Sequence, residues 1–207
     1  MKVYTIIGGV NGVGKSSFSG VLRQQRLDLG KIIDPDHIAA KEHCNKLEAG
    51  RIAIQEVETA IQNGWNFTQE TTLSGRRTLQ TILAARQKDY QIRLYYIGIS
   101  SAEESLYRIA NRVRKGGHNI AEADVRRRYE KRFADLSKIL PYCDEAHFFD
   151  NENGFTEAAI YQNGSLIPVC EVLPQSQQPY IQPIEGNPFE EGFPSNSPPK
   201  TSLYFFS

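Results

Sequence analysis

The sequence predicts an α/β domain with a mostly parallel sheet covered by helices on both faces. Three observations predict it. Short β-branched runs alternate with helix-period stretches through residues 1–150. The first run ends in a glycine-rich loop that opens directly onto a helical stretch. The run QIRLYYIGI at 91–99 reads as the clearest strand of the chain.

The elements follow in order. Residues 3–7 form a short strand ended by Gly8-Gly9, and helix spacing runs over 15–25. A second strand at 31–33 is closed by Asp34-Pro35-Asp36, and two helical segments fill 37–63, separated near Gly50. A third strand covers 65–69, and helical spacing resumes over 75–88 with Ser74 as its N-cap. Ser101 and Glu104 make a capping-box signature for a helix over 102–115, which Gly116-Gly117 breaks. Another helix runs over 121–138, and a fifth strand over 145–149.

Residues 155–162 and 165–172 flank Asn163-Gly164, a strong hairpin signal, so an antiparallel hairpin is expected to be added to the sheet. Seven of the ten prolines lie from Pro174 onward among Gln, Asn and Ser. Such a stretch buries too little surface to offset its ordering entropy and is expected to be disordered. The organisation expected is a core at 1–150 with a helical lid near 108–132, a hairpin appendage at 151–173 and a tail at 174–207.

The 207 residues are enough for one α/β domain with a substantial core. The formal net charge is zero, which argues against a global nucleic-acid or membrane-surface role. Cys44, Cys143 and Cys170 are far apart and in no metal-ligand spacing; they read as reduced thiols of a cytoplasmic protein. The apolar start runs straight into the glycine-rich loop and reads as a buried strand, not a signal peptide, and no apolar run approaches membrane-span length.

Gly9-Val10-Asn11-Gly12-Val13-Gly14-Lys15-Ser16 matches G-x-x-x-x-G-K-[ST] in full. Glycines let the loop curl so that its backbone N–H groups converge, and the following helix N-terminus adds its dipole. Phosphate is the ligand such a cradle takes. Lys15 is expected on the β- and γ-phosphates, Ser16 on Mg²⁺ and Ser17 near the α-phosphate. Gly9, Asn11, Gly12, Val13 and Gly14 complete the ATP-binding set.

Phosphoryl transfer also needs groups that orient an acceptor hydroxyl. Strand carboxyl ends line the crevice of an open parallel sheet, and Asp34-Pro35-Asp36 ends the second strand. Asp36 is read as the residue that takes the acceptor proton, or else as a helix cap. Asp34 is read as a helper or metal-shell ligand, or as a turn residue. Glu70 ends the third strand and is suited to a metal-bound water or an acceptor hydroxyl; Thr71, Thr72 and Ser74 offer further hydroxyls.

Residues 108–132 hold nine Lys and Arg against three Asp and Glu, with a Gly116-Gly117-His118 break between two basic helices. This is the composition of a lid that closes over ATP and brings guanidinium to a transferring phosphoryl group. Arg112 is assigned to transition-state stabilisation. Arg108 is read as stacking on adenine or as facing solvent. His118 and one of Arg126, Arg127 or Arg128 are expected to reach substrate. The other reading is a solvated helix face or a nucleic-acid patch, for which the interleaved aromatics are few.

The stretches GGVNGVGKSS, DPD, NFTQETTLSG, QIRLYYIGI, RVRKGGHNIAEADVRRRYEKR and FFDN occur in order over most of 3–151. In them the chain resembles the zeta-toxin-like group of small bacterial P-loop kinases. The resemblance implies a three-layer P-loop NTPase of the kinase type, with a parallel five-stranded sheet in the order 2-3-1-4-5. It implies ATP and Mg²⁺ at the loop. It implies phosphorylation of a hydroxyl on a small anionic acceptor such as UDP-N-acetylglucosamine. By position it makes Asp36 the base and Glu70 a substrate ligand, and places one lid arginine near Arg112 and a second contact at His118 or Arg126. An antitoxin protein is the partner it implies. Two alternatives stay open: a nucleotide-gated toxin or binding module, and a nucleic-acid 5′-hydroxyl kinase.

Overall fold

Strand β1 (Lys2–Gly8) lies at the centre of the sheet, and all but its first residue are buried. The computed structural model describes residues 1–162 and 165–169, with Pro174 and Ser176. After β1 come α1 (Lys15–Gln25), β2 (Lys31–Ile33), α2 (Pro35–Lys41), α3 (Lys46–Asn63), β3 (Phe67–Thr71), α4 (Arg77–Arg86), β4 (Tyr90–Gly98), α5 (Ala102–Arg114) and α6 (Glu122–Ile139). A 3-10 turn (Leu140–Tyr142) leads to β5 (Glu145–Asp150), β6 (Thr156–Gln162) and β7 (Ser165–Pro168).

The strand order is β2-β3-β1-β4-β5-β6-β7. The first five strands are parallel and in the expected order. β6 and β7 join antiparallel, so the hairpin makes one mixed seven-stranded sheet with the core. Its Asn163-Gly164 turn lies outside the described residues.

Side chains of successive strand residues point to opposite faces, and two apolar layers result. Tyr4, Ile6, Phe67, Ile92 and Leu94 meet the inner faces of α3, α4 and α6, including Ala53, Val57, Ile82, Ala85 and Leu136. Ile7, Tyr95, Ile97 and Ile99 meet Phe18 and Leu22 of α1, with Val10 and Val13 of the loop. The loop is therefore anchored by its own valines in the second layer.

Several boundaries differ from the sequence reading. The break between the second and third helices falls at 42–45, where Asn45 and Glu48 form a full capping box, and Gly50 lies inside α3. A reciprocal cap satisfies two end N–H groups, and it outweighs one interior glycine costing about 1 kcal/mol. α2 starts at Pro35 with the Asp34 side chain as its cap, so Asp36 is not the cap. Arg76, not Ser74, occupies the N-cap of α4; the Ser74 hydroxyl bonds to that of Thr72 at 2.7 Å. β3 begins two residues later than expected and reaches Thr71. Within the stretch expected to be disordered, Ser176 is buried and its hydroxyl donates to Asp150 Oδ1; apart from Pro174, the rest of 174–207 lies outside the described residues.

At the far end of the sheet from the loop, Gly30 (φ +60°) passes so close to β3 that an added Cβ would lie 1.8 Å from Asn66 O. The left-handed backbone alone disfavours a side chain by about 1–2 kcal/mol, and the collision adds to that. We expect Gly30→Ala to lose about 2–4 kcal/mol in urea unfolding; a loss under about 0.5 kcal/mol would mean that the α1–β2 turn moves freely.

Candidate active site

The phosphate-binding loop leaves β1 at Gly8 and ends on α1. Gly9 (φ +146°), Gly12 (φ +79°) and Gly14 (φ +89°) hold backbone conformations that side chains rarely adopt. A Cβ would also collide at each: 2.5 Å from Ile97 O at Gly9, 2.8 Å from Ser105 O at Gly12 and 2.8 Å from Asn151 Nδ2 at Gly14. The three glycines thus bring the loop against β4, α5 and the β5–β6 connection at once. Three polar contacts fix it there. Ser105 Oγ donates to Asn11 O, Asn151 Nδ2 donates to Val13 O at 2.9 Å, and Arg128 Nη1 donates to Asn11 Oδ1 at 2.7 Å.

Lys15 is half-buried, and its Nζ donates to Gly9 O at 2.9 Å and Val10 O at 3.0 Å. Ser16 Oγ donates to Glu70 Oε2 at 2.8 Å, and Ser19 Oγ donates to Glu70 Oε1 at 2.7 Å. Glu70 is buried and is held between two hydroxyls of α1. The register causes this: parallel pairing sets Glu70 beside Ile7, at the point where β1 becomes the loop. Ser17 is exposed on the first turn of α1.

Asp34 caps α2 by accepting from Asp36 N at 2.9 Å. Burial pushes the Asp34 carboxyl up from its ordinary value, and Glu70 pushes the same way. Asp36 is exposed, and no side-chain hydrogen bond engages it among the described residues. Burial pulls the Lys15 ammonium down to about 8, against Glu70, Asp34 and Asp36, which push it up; Arg112 adds to the downward pull. Glu70 ends β3 and the Asp34–Asp36 turn follows β2, so these acids and the loop share the carboxyl edge of the sheet.

The other expected residues fall into two sets. Arg112, on α5, donates from Nη2 to His118 O at 2.9 Å and lies over Gly117. Together with Arg108, Asn111, Lys115, Gly116 and Gly117 it lines a cleft, while Ser100, Tyr107, Arg108 and Glu152 line a neighbouring one. Arg126 points to acids instead, Glu103 at 2.7 Å and Glu122 at 2.8 Å. Arg128 is the α6 arginine that reaches the loop, and its buried Nε has no hydrogen-bond partner among the described residues. The His118 side chain is exposed. The Thr71 hydroxyl accepts from Leu73 N at 3.0 Å and meets Thr78, so it shapes the β3–α4 turn. Ser19, Ser105 and Asn151 carry no role in the sequence reading. Ser19 was within reach, because it follows Ser16 by three residues and so shares its helix face.

The donor set fits the expected ligands. A glycine loop with positive φ at Gly9, Gly12 and Gly14, followed by Lys15 at a helix start, suits a polyphosphate. A hydroxyl and a carboxylate suit Mg²⁺, which binds oxygen and takes few protein ligands beside phosphate. Among the described residues, no cluster of three or more His, Cys, Asp or Glu could hold a metal ion. No described helix is long and apolar enough to cross a membrane.

Lys15 generates a pH dependence. Its charge is complete below about pH 7 and is lost as pH rises through 8, and each pH unit beyond that costs about tenfold in the charged form. Triphosphate affinity should therefore fall about tenfold between pH 7 and 9 in titrations with a fluorescent ATP analogue. Lys15→Arg should flatten the profile; a flat wild-type profile would show that the lysine keeps its proton throughout.

No protein-family model matches the chain. Two solved structures share its fold. One is from the PezAT chromosomal toxin-antitoxin system of Streptococcus pneumoniae, with TM-score 0.58 and 15% identity over 75% of this chain and 71% of that one. The other is from the AvrRxo1-ORF1:-ORF2 complex with ATP, with TM-score 0.60 and 13% identity over 82% of this chain. This chain spans 61% of that second chain. At such identities the likeness is one of α/β fold. An uncharacterized protein of Haemophilus influenzae is 40% identical over 127 residues, which make up 58% of this chain and 88% of that protein. The chain belongs to the same protein family as that Haemophilus influenzae protein.

Proposed function

We propose that the chain is an ATP- and Mg²⁺-dependent phosphotransferase acting on a hydroxyl of a small anionic acceptor. The observation that carries this reading is Glu70, buried at the end of β3 and held by Ser16 and Ser19 of the helix that follows the glycine-rich loop, with Asp36 exposed just past the end of the adjacent strand β2. A nucleotide-binding module needs the loop alone. Carboxylates beyond the loop and an arginine from the lid are what transfer requires in addition.

ATP supplies the phosphoryl group, and Mg²⁺ neutralises charge on its oxygens. The chain supplies the rest. Lys15 and the loop amides grip the phosphates. Ser16 would hold the metal, and Glu70, which accepts from the Ser16 hydroxyl, would orient that ligand. This makes Glu70 a metal-side residue before it is a substrate ligand. Asp36 takes the acceptor proton as the new O–P bond forms and the bond to the leaving diphosphate breaks. Asp34, bound to the Asp36 amide, fixes the turn that presents it. Arg112 and Arg128 face the charge that develops on the phosphoryl oxygens. Arg128 takes this role rather than Arg126, because its Nη1 already donates to Asn11 of the loop while Arg126 is paired with Glu103 and Glu122.

The resemblance of the sequence makes UDP-N-acetylglucosamine the first acceptor to try and an antitoxin the first partner to seek. A nucleic-acid acceptor is disfavoured by the surface of the basic segment, where Arg108, Arg126 and Arg127 are each paired with acids. Paired guanidinium groups release few counterions on binding a backbone.

The test is ATP turnover against sugar nucleotides and polyols. Asp36→Ala should lower kcat by about 10²–10⁴ with nucleotide affinity kept; acceptor-dependent turnover untouched by this change would remove Asp36 from the mechanism. Glu70→Gln should weaken Mg²⁺-dependent ATP binding by about tenfold, while metal-free binding changes little. Arg128→Ala should lower kcat far more than it raises KM for ATP.

A further inference from the structure

The antiparallel hairpin decides where the chain goes after the core. β6 reverses the direction of β5, and β7 reverses it again. β7 therefore ends at the carboxyl edge of the sheet, the edge that carries the loop. Pro168 pairs with Ala159, and Ala159 pairs with Phe148, close to the end of β5. Val169 N extends the pairing by donating to Ala158 O at 3.0 Å. With one strand fewer, the chain would leave at the opposite edge. β7 and β5 are two strand spacings apart, about 10 Å. Ser176 lies back on β5, where its hydroxyl donates to Asp150 Oδ1.

Asp150 is the last residue of β5, and both it and Ser176 are buried. Each carboxylate oxygen has a donor. Oδ2 accepts from Glu152 N at 3.0 Å, which closes the turn that leaves the strand, and Oδ1 accepts from Ser176. The donors to this carboxylate among the described residues are thus one amide and one hydroxyl.

The turn that Asp150 closes carries two residues to the site. Asn151 Nδ2 donates to Val13 O at 2.9 Å and fills the space that a Cβ at Gly14 would need. Glu152 Oε1 accepts from Ser100 N at 3.1 Å, and Glu152 O accepts from Arg108 Nη2 at 3.4 Å. The phosphate loop, the segment after β4 and α5 are all gripped from this one turn.

A buried carboxylate oxygen left without a donor carries its full desolvation cost. Loss of the Ser176 hydroxyl would leave Oδ1 in that state. The relief open to it is for the turn to admit water, and an opened turn draws Asn151 away from Val13 O. A simple tether of the chain end would have no such path to the loop.

We propose that Ser176 is a positioning residue of the nucleotide site: through Asp150 it holds Asn151 against the phosphate loop. A residue in the stretch whose composition predicts disorder thereby takes part in binding the nucleotide. The ligand rests on the phosphotransferase reading, whereas the hold on the loop can be measured without any ligand.

Hydrogen exchange of the full chain without nucleotide reads the hold directly. Ser176→Ala should speed exchange of the amides at 10–16 and 151–154 at least about threefold, with the interiors of β1 and β4 unchanged. Ser176→Cys, which keeps a weak S–H donor in nearly the same volume, should fall between. Calorimetry with a non-hydrolysable ATP analogue and Mg²⁺ reads the consequence. Ser176→Ala should weaken binding about three- to tenfold. The same change in an Asn151→Ala background should add nothing, because the path is already cut. Unchanged loop exchange in Ser176→Ala, even with a lower melting temperature, would overturn the positioning role and leave a simple tether. Unchanged affinity, or losses that add in the double variant, would overturn it as well. A wild type that binds no analogue would overturn the kinase reading instead, and loop exchange alone would then decide the role of Ser176.

Discussion

Everything at the site depends on the backbone of one loop being able to pass where no side chain fits. At Gly9, Gly12 and Gly14 the chain adopts positive φ and approaches Ile97, Ser105 and Asn151 to within contact. These contacts belong to β4, α5 and the segment after β5, three different layers of the chain. The loop thus joins the sheet, α5 and the segment after β5. Val10 and Val13 anchor it from beneath, both nearly or wholly inaccessible. A cradle held from below by apolar packing and from the sides by glycine contacts has little freedom left to lose when phosphate binds, which is the physical meaning of preorganisation.

Charge balance is the second constraint. The loop lysine is partly removed from water, which disfavours its ammonium, and the carboxylates of Glu70, Asp34 and Asp36 act to restore it. Burial first, and then the neighbouring Glu70, raise Asp34, while Lys15 acts to lower it. Stable coexistence of three acids at one edge requires cations, and Lys15 with Arg112 supplies them. A polyanion entering the loop brings its own counter-ion for the same reason.

Much of this is visible in the residue order. The loop motif, the alternation of elements and the paired strands of the hairpin correspond to the structure, because each rests on local chemistry such as glycine at positive φ and apolar period; the five-strand order, which the family resemblance implied, corresponds as well. Where the sequence reading departs from the structure, tertiary geometry decides. Nothing local distinguishes Arg126 from Arg128, two residues apart on one helix. Their roles separate only because the Arg126 side of α6 meets Glu103 of α5 and the Arg128 side meets Asn11 of the loop. The position of Glu70 at the end of β3 is readable, but its hold on Ser16 and Ser19 follows from the β1–β3 register. The helix break at 42–45 was signalled by Asn45 and Glu48 themselves, a capping pair masked by the more conspicuous Gly50.

The loop tip is held from two helices at once. Ser105 of α5 donates to Asn11 O, and Arg128 of α6 donates to Asn11 Oδ1. Arg126, two residues before Arg128 on the same helix, pairs with Glu103 of α5. Loop, α5 and α6 thus form a closed circuit of polar contacts, and Asn151 ties the far end of the loop to the segment after β5. A displacement of either helix reaches Asn11 through its own side chain, so the position of the loop tip is set jointly by the two helices rather than by the loop sequence alone.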